Sequence, residues 1–180
     1  MAALDLLDRY TYEDYKKWED RWELIDGIAY AMSPAPSLKH QSVVARIWKE
    51  LDENLDCDKC KVYISPVDWV IDDRNVVQPD VLVTCEEVDE DAKFLTKPPK
   101  IVIEVLSLST ALKDLTTKFT LYEKVGVQYY VVINPKTEEL EIFELKNSKY
   151  QLQERFKSKG VYNFQWDSCK TQIDFEKVFK

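Results

Sequence analysis

A glutamate in the middle of an apolar run is the first feature of this sequence that demands a chemical explanation. Ile101-Val102-Ile103-Glu104-Val105-Leu106 carries no other polar side chain. A carboxylate buried without a partner costs on the order of several kcal/mol. Pro79-Asp80 sets a second carboxylate at the entrance to the apolar run Val81-Leu82-Val83. If the two runs pair as strands, the carboxylates meet near the strand ends. Clustered oxygen ligands suit Mg2+ or Mn2+, which keep waters that can be activated. Two simpler readings compete: Asp80 as a turn residue after proline, and Glu104 as half of a structural ion pair.

Further on, Asp114, Lys118 and Tyr122 stand four apart, so a helix would put them on one face. That face could turn toward the strand ends and present an ammonium, or Asp114 and Lys118 could form an exposed i,i+4 pair of small value. Glu23 precedes a hairpin turn and could be an ordinary surface strand residue. His40 is the only histidine. It stands near a helix start, where contact with phosphate, acid chemistry, capping and packing are all open to it.

The elements that must position these groups follow from periodicity and punctuation. A short helix is expected near residues 11–20, with Thr11 as N-cap. Residues 22–33 read as a hairpin turning at Asp26-Gly27, since glycine accepts the positive φ of a type I′ turn; Pro34 and Pro36 end it. Ser37 caps a helix to about Leu55, with Val43, Ile47, Leu51 and Leu55 forming its apolar stripe. Strands are expected over 61–65, 67–71 and 76–85, with a turn at 72–75. Residues 101–106 make a strand buried on both faces. A helix from Thr110 ends at Gly126. A strand over 129–134 and an antiparallel extension over 140–145 and 150–156 complete the order. The result is one α/β (α+β) domain over residues 1–180: a mixed central sheet flanked by helices.

Composition narrows the chemistry. The 180 residues are 45% hydrophobic with a net charge of −8, which excludes a chain that binds nucleic acid over its whole surface. Three glycines, Gly27, Gly126 and Gly160, exclude a Gly-rich phosphate loop. No apolar run is long enough for a membrane span, and the acidic start Met1–Asp8 does not read as a secretory signal. A cytoplasmic location is therefore expected. Cys57-Asp58-Lys59-Cys60 is a C-x-x-C, but Cys85 and Cys169 stand alone in sequence. The four are read as ordinary thiols rather than as a zinc or redox site. The acidic run Glu86–Asp91 reads as a solvated loop.

In order and spacing, these pieces resemble a known pattern. Trp22-Glu23-Leu24-Ile25-Asp26-Gly27, Met32-Ser33-Pro34, His40, Pro79-Asp80, Glu104-Val105-Leu106, Ser107-x-Ser109-Thr110, Asp114, Lys118, Tyr122 and Gly126-Val127 resemble the bacterial restriction-endonuclease-like family of the PD-(D/E)XK nuclease superfamily. The resemblance implies a restriction-endonuclease-like fold and a Mg2+- or Mn2+-dependent hydrolase of phosphodiester bonds in nucleic acid, with DNA the expected polymer. It implies Asp80, Glu104 and the Val105 carbonyl as metal ligands. Glu23 would be a third carboxylate, binding a second metal or orienting the attacking water, and Lys118 the catalytic lysine. His40, Asp114 and Tyr122 would be accessory. Leu106 stands where the superfamily signature has lysine, which moves that role to Lys118. Leu108, Tyr129 and Asn134 also depart from the pattern, at positions where the family often has proline, glutamate and aspartate. A homodimer is expected, with Tyr150, Tyr162 and Phe164 available for an interface if exposed. The alternative is a nuclease-fold module without turnover that binds protein or nucleic acid.

Overall fold

The structure, a computed structural model, describes residues 9–33 and 35–180; Pro34 and the N-terminal segment read above for a signal lie outside them. Thr11 and Asp14 form a reciprocal capping box that starts α1 (Tyr12–Tyr15). The helix is shorter than expected: the chain leaves it through a turn and reaches Asp20 at φ 64°, a conformation no α-helix continues through. The hairpin β1 (Trp22–Ile25) and β2 (Ile28–Ala31) turns as the sequence predicts, with Asp26 at φ 51° and Gly27 at φ 74°. Ser37 Oγ accepts from the His40 N–H and starts α2 (Leu38–Asn54), which buries Val43, Ile47 and Leu51.

β3 (Lys61–Ile64), β4 (Asp68–Asp72), β5 (Asn75–Val77) and β6 (Val81–Thr84) follow. The run expected as one strand over 76–85 is two. Pro79 has no N–H for a ladder, and the chain changes sheets there. β5 joins β1, β2, β4 and the short β7 (Phe94–Leu95) in a five-stranded sheet of order β2-β1-β5-β4-β7. β6 joins a six-stranded sheet of order β11-β10-β9-β8-β6-β3, built with β8 (Ile101–Val105), β9 (Tyr129–Asn134), β10 (Glu139–Lys146) and β11 (Lys149–Lys157). Only β8 and β9 run parallel in that sheet.

The helix expected after Thr110 is interrupted. α3 (Ala111–Lys113) runs into a π-helical turn at Asp114–Lys118 and then α4 (Phe119–Val125), which Gly126 ends at φ 91°. The last residues, unassigned from sequence, form the hairpin β12 (Val161–Trp166) and β13 (Cys169–Asp174) and a short α5 (Phe175–Val178).

Alternation along β8 sorts its side chains between two cores. Ile101, Ile103 and Val105 pack with α2, β12, β13 and α5. Val102 packs on the opposite face with Leu82, Trp69 and Tyr122, and parity puts Glu104 on that face too.

Two expectations are corrected here. Phe164 is fully buried in the core, and the Tyr150 hydroxyl donates to the Val127 carbonyl. Phe164 is therefore not available for an interface, while Tyr150 and Tyr162 are half-buried. The cysteines are not isolated thiols. Cys57 is bonded to Cys169 and Cys60 to Cys85, because strand pairing joins segments that are remote in sequence. Among the described residues, no helix is long and apolar enough to cross a membrane.

Candidate active site

Strand register brings the two carboxylates together. Val81 pairs with Ile103 and Leu82 with Val102 in the antiparallel β6–β8 ladder, so one further step sets Asp80 opposite Glu104. Asp80 Oδ2 accepts from the Val105 N–H at 2.8 Å, which ties the residue to the strand end. Its Oδ1 takes no hydrogen bond among the described residues, and Asp80 lines a cleft of about 850 Å3 together with Glu104, Ser109 and Lys136.

Glu104 is nearly fully buried. Its Oε1 accepts from Lys118 Nζ at 2.9 Å and from the Tyr122 hydroxyl at 2.8 Å, leaving Oε2 without a partner among the described residues. Asp114, Lys118 and Tyr122, expected on one helical face, are all buried and turned toward the strand ends. Lys118 Nζ also lies 2.8 Å from Glu23 Oε1 and 3.5 Å from Asp114 Oδ1. The exposed i,i+4 reading of Asp114 and Lys118 fails on this burial.

Glu23 is completely buried, not a surface strand residue. Its Oε1 accepts from the Gln78 N–H at 2.9 Å, and its Oε2 from Lys113 Nζ at 2.7 Å. Both oxygens are therefore engaged. Lys113 and Gln78 were not singled out from the sequence. A π turn closes its hydrogen bonds i→i+5, which brings residues five apart nearer to one face than an α-helix does; Lys113 and Lys118 both reach Glu23. A straight α-helix gives no reason to look five positions back. His40 Nε2 lies 2.9 Å from the Val105 carbonyl and 3.6 Å from Asp80 Oδ2, so the one histidine also joins the group.

Charge balance explains the titration behaviour. Burial raises the Glu104 carboxyl well above the usual carboxylate range. Lys118 opposes this, while Asp114, Asp80 and Glu23 add to it. Glu23 is buried as deeply, but two lysines outweigh the burial and hold its pKa below the ordinary value. Burial disfavours the Lys118 ammonium, yet Glu104 and Glu23 overcome it and hold its pKa well above normal. Burial lowers His40 less than the Asp80 carboxylate and Val105 carbonyl raise it, so it titrates above its usual value. The carboxylates of Glu23, Asp80, Glu104 and Asp114 share the cleft with Lys113 and Lys118, and with Arg21, His40 and Lys136 at its walls. Asp80 and Glu104, adjacent at the strand ends, favour a divalent cation between them. The donor set fits one: two carboxylates with an oxygen each to spare, beside a main-chain carbonyl.

A mixed sheet with carboxylates at adjoining strand ends, and a lysine returned from the following helix, defines a protein of the restriction-endonuclease-like class. The chain belongs to the Uma2 family, described as "Putative restriction endonuclease", whose family model matches residues 12–163; this makes it a protein of a nuclease family. It is 29% identical over 161 residues to the uncharacterized protein slr1290 of Synechocystis sp. (strain PCC 6803), covering 83% of this chain and 84% of that one. Its fold is similar to the crystal structure of a putative nuclease belonging to DUF820 from Anabaena variabilis. The TM-score is 0.73 at 16% identity, over 94% of this chain and 97% of that one.

Proposed function

We propose that the chain is a divalent-metal-dependent endonuclease that hydrolyses phosphodiester bonds, with DNA as substrate. The observation that carries this reading is the convergence of Asp80 and Glu104 on one cleft, each with a free oxygen. Asp80, Glu104 and the Val105 carbonyl would hold Mg2+ or Mn2+. When bound, the ion lowers the pKa of its water and stabilises charge on the phosphorane.

The remaining roles belong to the chain's own residues. Lys118 is held by three carboxylates, so its ammonium is preorganised and needs no rearrangement to meet developing charge. Glu23, saturated by Lys113, Lys118 and the Gln78 N–H, positions both lysines instead of binding a second metal. Asp114 and Tyr122 fix Lys118 and Glu104 in place. Lys113 is partly exposed at the cleft and offers its charge to a substrate phosphate. His40 orients the Val105 carbonyl through its hydrogen bond.

Incubation of supercoiled plasmid with the chain tests the reading. Nicked or linear DNA is expected with Mg2+ or Mn2+, none with EDTA, and none from Glu104→Gln. Intact plasmid, linear duplex and single-stranded DNA in both metals would overturn it. Cleavage of RNA alone would correct the substrate.

A further inference from the structure

We infer that, with its four cysteines reduced, the chain binds one Zn2+ through Cys57, Cys60, Cys85 and Cys169, at a structural site separate from the carboxylates. The main chain gathers these residues by register. Asp56 pairs with Lys170 in an antiparallel bridge, and the next step sets Cys57 opposite Cys169. Lys61 pairs with Thr84 in the β3–β6 ladder, and the next step sets Cys60 opposite Cys85. The C-x-x-C turn joins the two pairs: the Cys60 N–H donates to the Cys57 carbonyl at 3.2 Å, and the two sulfurs lie 3.3 Å apart.

The sulfurs of Cys57, Cys60 and Cys169 all lie within 4.8 Å of one another, and the Cys85 sulfur is bonded to that of Cys60. A tetrahedral zinc with Zn–S near 2.3 Å needs sulfurs roughly 3.8 Å apart. Opening both disulfides therefore leaves three thiols already gathered, with the Cys85 sulfur, next to that of Cys60 but outside the group of three, to be turned inward as the fourth. All four side chains belong to or pack against one apolar core, which suits a closed site of four protein ligands over a catalytic one with an open position.

Two roles follow. Binding would convert four thiols to thiolates, with their protons released to solvent. It would also staple the C-terminal hairpin to the end of α2 and to β6 without a disulfide. Asp80 and Cys85 flank opposite ends of β6, five residues apart, or about 17 Å at strand rise. The two sites can therefore be tested independently.

The full chain, purified in a phosphine reductant with added Zn2+ and then gel-filtered, should retain one zinc per chain by elemental analysis. Co2+ in its place should give the strong visible absorption of tetrahedral thiolate coordination. Zinc should slow alkylation of all four cysteines, read by mass spectrometry on the unmutated chain. Cys85→Ser and Cys169→Ser should lose the retained zinc, while Asp80→Asn and Glu104→Gln should keep it. A reduced chain with four reactive thiols that retains no zinc overturns the inference, and the cysteines then serve as disulfides alone. Zinc retention that survives Cys85→Ser but is lost in Asp80→Asn overturns it as well, because the ion then sits at the carboxylates.

Discussion

Lys118 Nζ sits 2.9 Å from Glu104 Oε1, although Leu106 occupies the position two residues after the glutamate where a strand lysine would stand. Residues two apart on a strand share a face, so a lysine there would reach the same space from within β8. Here the following helix returns the ammonium from the other side. Tyr122 donates to the same oxygen, so one glutamate oxygen organises the helix and the other stays available.

Lys118→Met keeps the aliphatic stem and removes the charge. Electrostatic contributions of this kind amount to about 2–4 kcal/mol of barrier, so cleavage should fall by about 10² or more. Affinity for the metal should stay within a few-fold of wild type. The variant should also melt lower, because Glu23 and Asp114 lose a buried counter-charge. Unchanged cleavage in a folded Lys118→Met protein would remove Lys118 from the mechanism.

Lys113 is expected to act differently, because its ammonium borders the cleft, where it pairs with Glu23 and lies over the Tyr30 ring. Each phosphate contact contributes roughly 0.9 to the salt slope of duplex binding. Lys113→Ala should weaken DNA binding and make the slope shallower by about that amount, measured by fluorescence anisotropy in Ca2+ over a salt series. Lys118→Met, buried behind it, should leave the slope alone. Identical slopes for Lys113→Ala and wild type would mean that Lys113 only neutralises Glu23.

These two lysines show how much of the site was legible. Asp80 and Glu104 stood out because a carboxylate breaks an apolar strand pattern, and antiparallel register then sets them opposite each other. Asp114, Lys118 and Tyr122 were legible as a four-residue repeat. Lys113 was hidden because its role depends on the π turn, which α-helical spacing does not reveal. Pro79 was visible but read through, so one strand was drawn where two sheets meet. The cysteine cluster rests on a bridge between Asp56 and Lys170, a contact between remote segments that local pattern cannot supply. The final hairpin went unassigned for a different reason: β12 and β13 pair locally around a short turn, but a polar residue interrupts the apolar alternation of β13.

Glu86 belongs to an acidic run read as solvated, yet its carboxylate accepts from the Thr96 N–H at 3.0 Å, the Thr96 hydroxyl at 2.7 Å and the Lys97 N–H at 2.9 Å. Partial burial pushes its pKa up. The hydrogen bonds from Lys97 and Thr96 outweigh that and hold it below the ordinary 4.5. A depressed folded-state pKa contributes stability above the unfolded value, lost as pH falls through the folded one. Glu86→Gln should therefore melt below wild type at neutral pH, with the gap closing as pH drops below the ordinary carboxylate range. Melting curves of both proteins across that range check it. A gap that stays constant with pH would mean that the charge contributes nothing.

Asp80→Asn separates a metal site from a structural ion pair without knowledge of the substrate. Metal binding to the folded state stabilises by RT ln(1 + [L]/Kd). For about 10 mM Mg2+ and an assumed Kd of about 1 mM, this is roughly 1.4 kcal/mol, which should raise Tm by roughly 3–6 °C in a domain of this size. Asp80→Asn should lose that response. It retains a side-chain oxygen to accept the Val105 N–H and removes one of the carboxylates that push up Glu104. In chelator it should therefore melt at or above wild type, as relief of like-charge repulsion requires. The ion-pair reading expects the reverse, because Asp80 would then be the partner that holds His40. If Mg2+ and Mn2+ leave the wild-type curve unmoved while Asp80→Asn melts lower in EDTA, Asp80 is structural and the metal assignment fails.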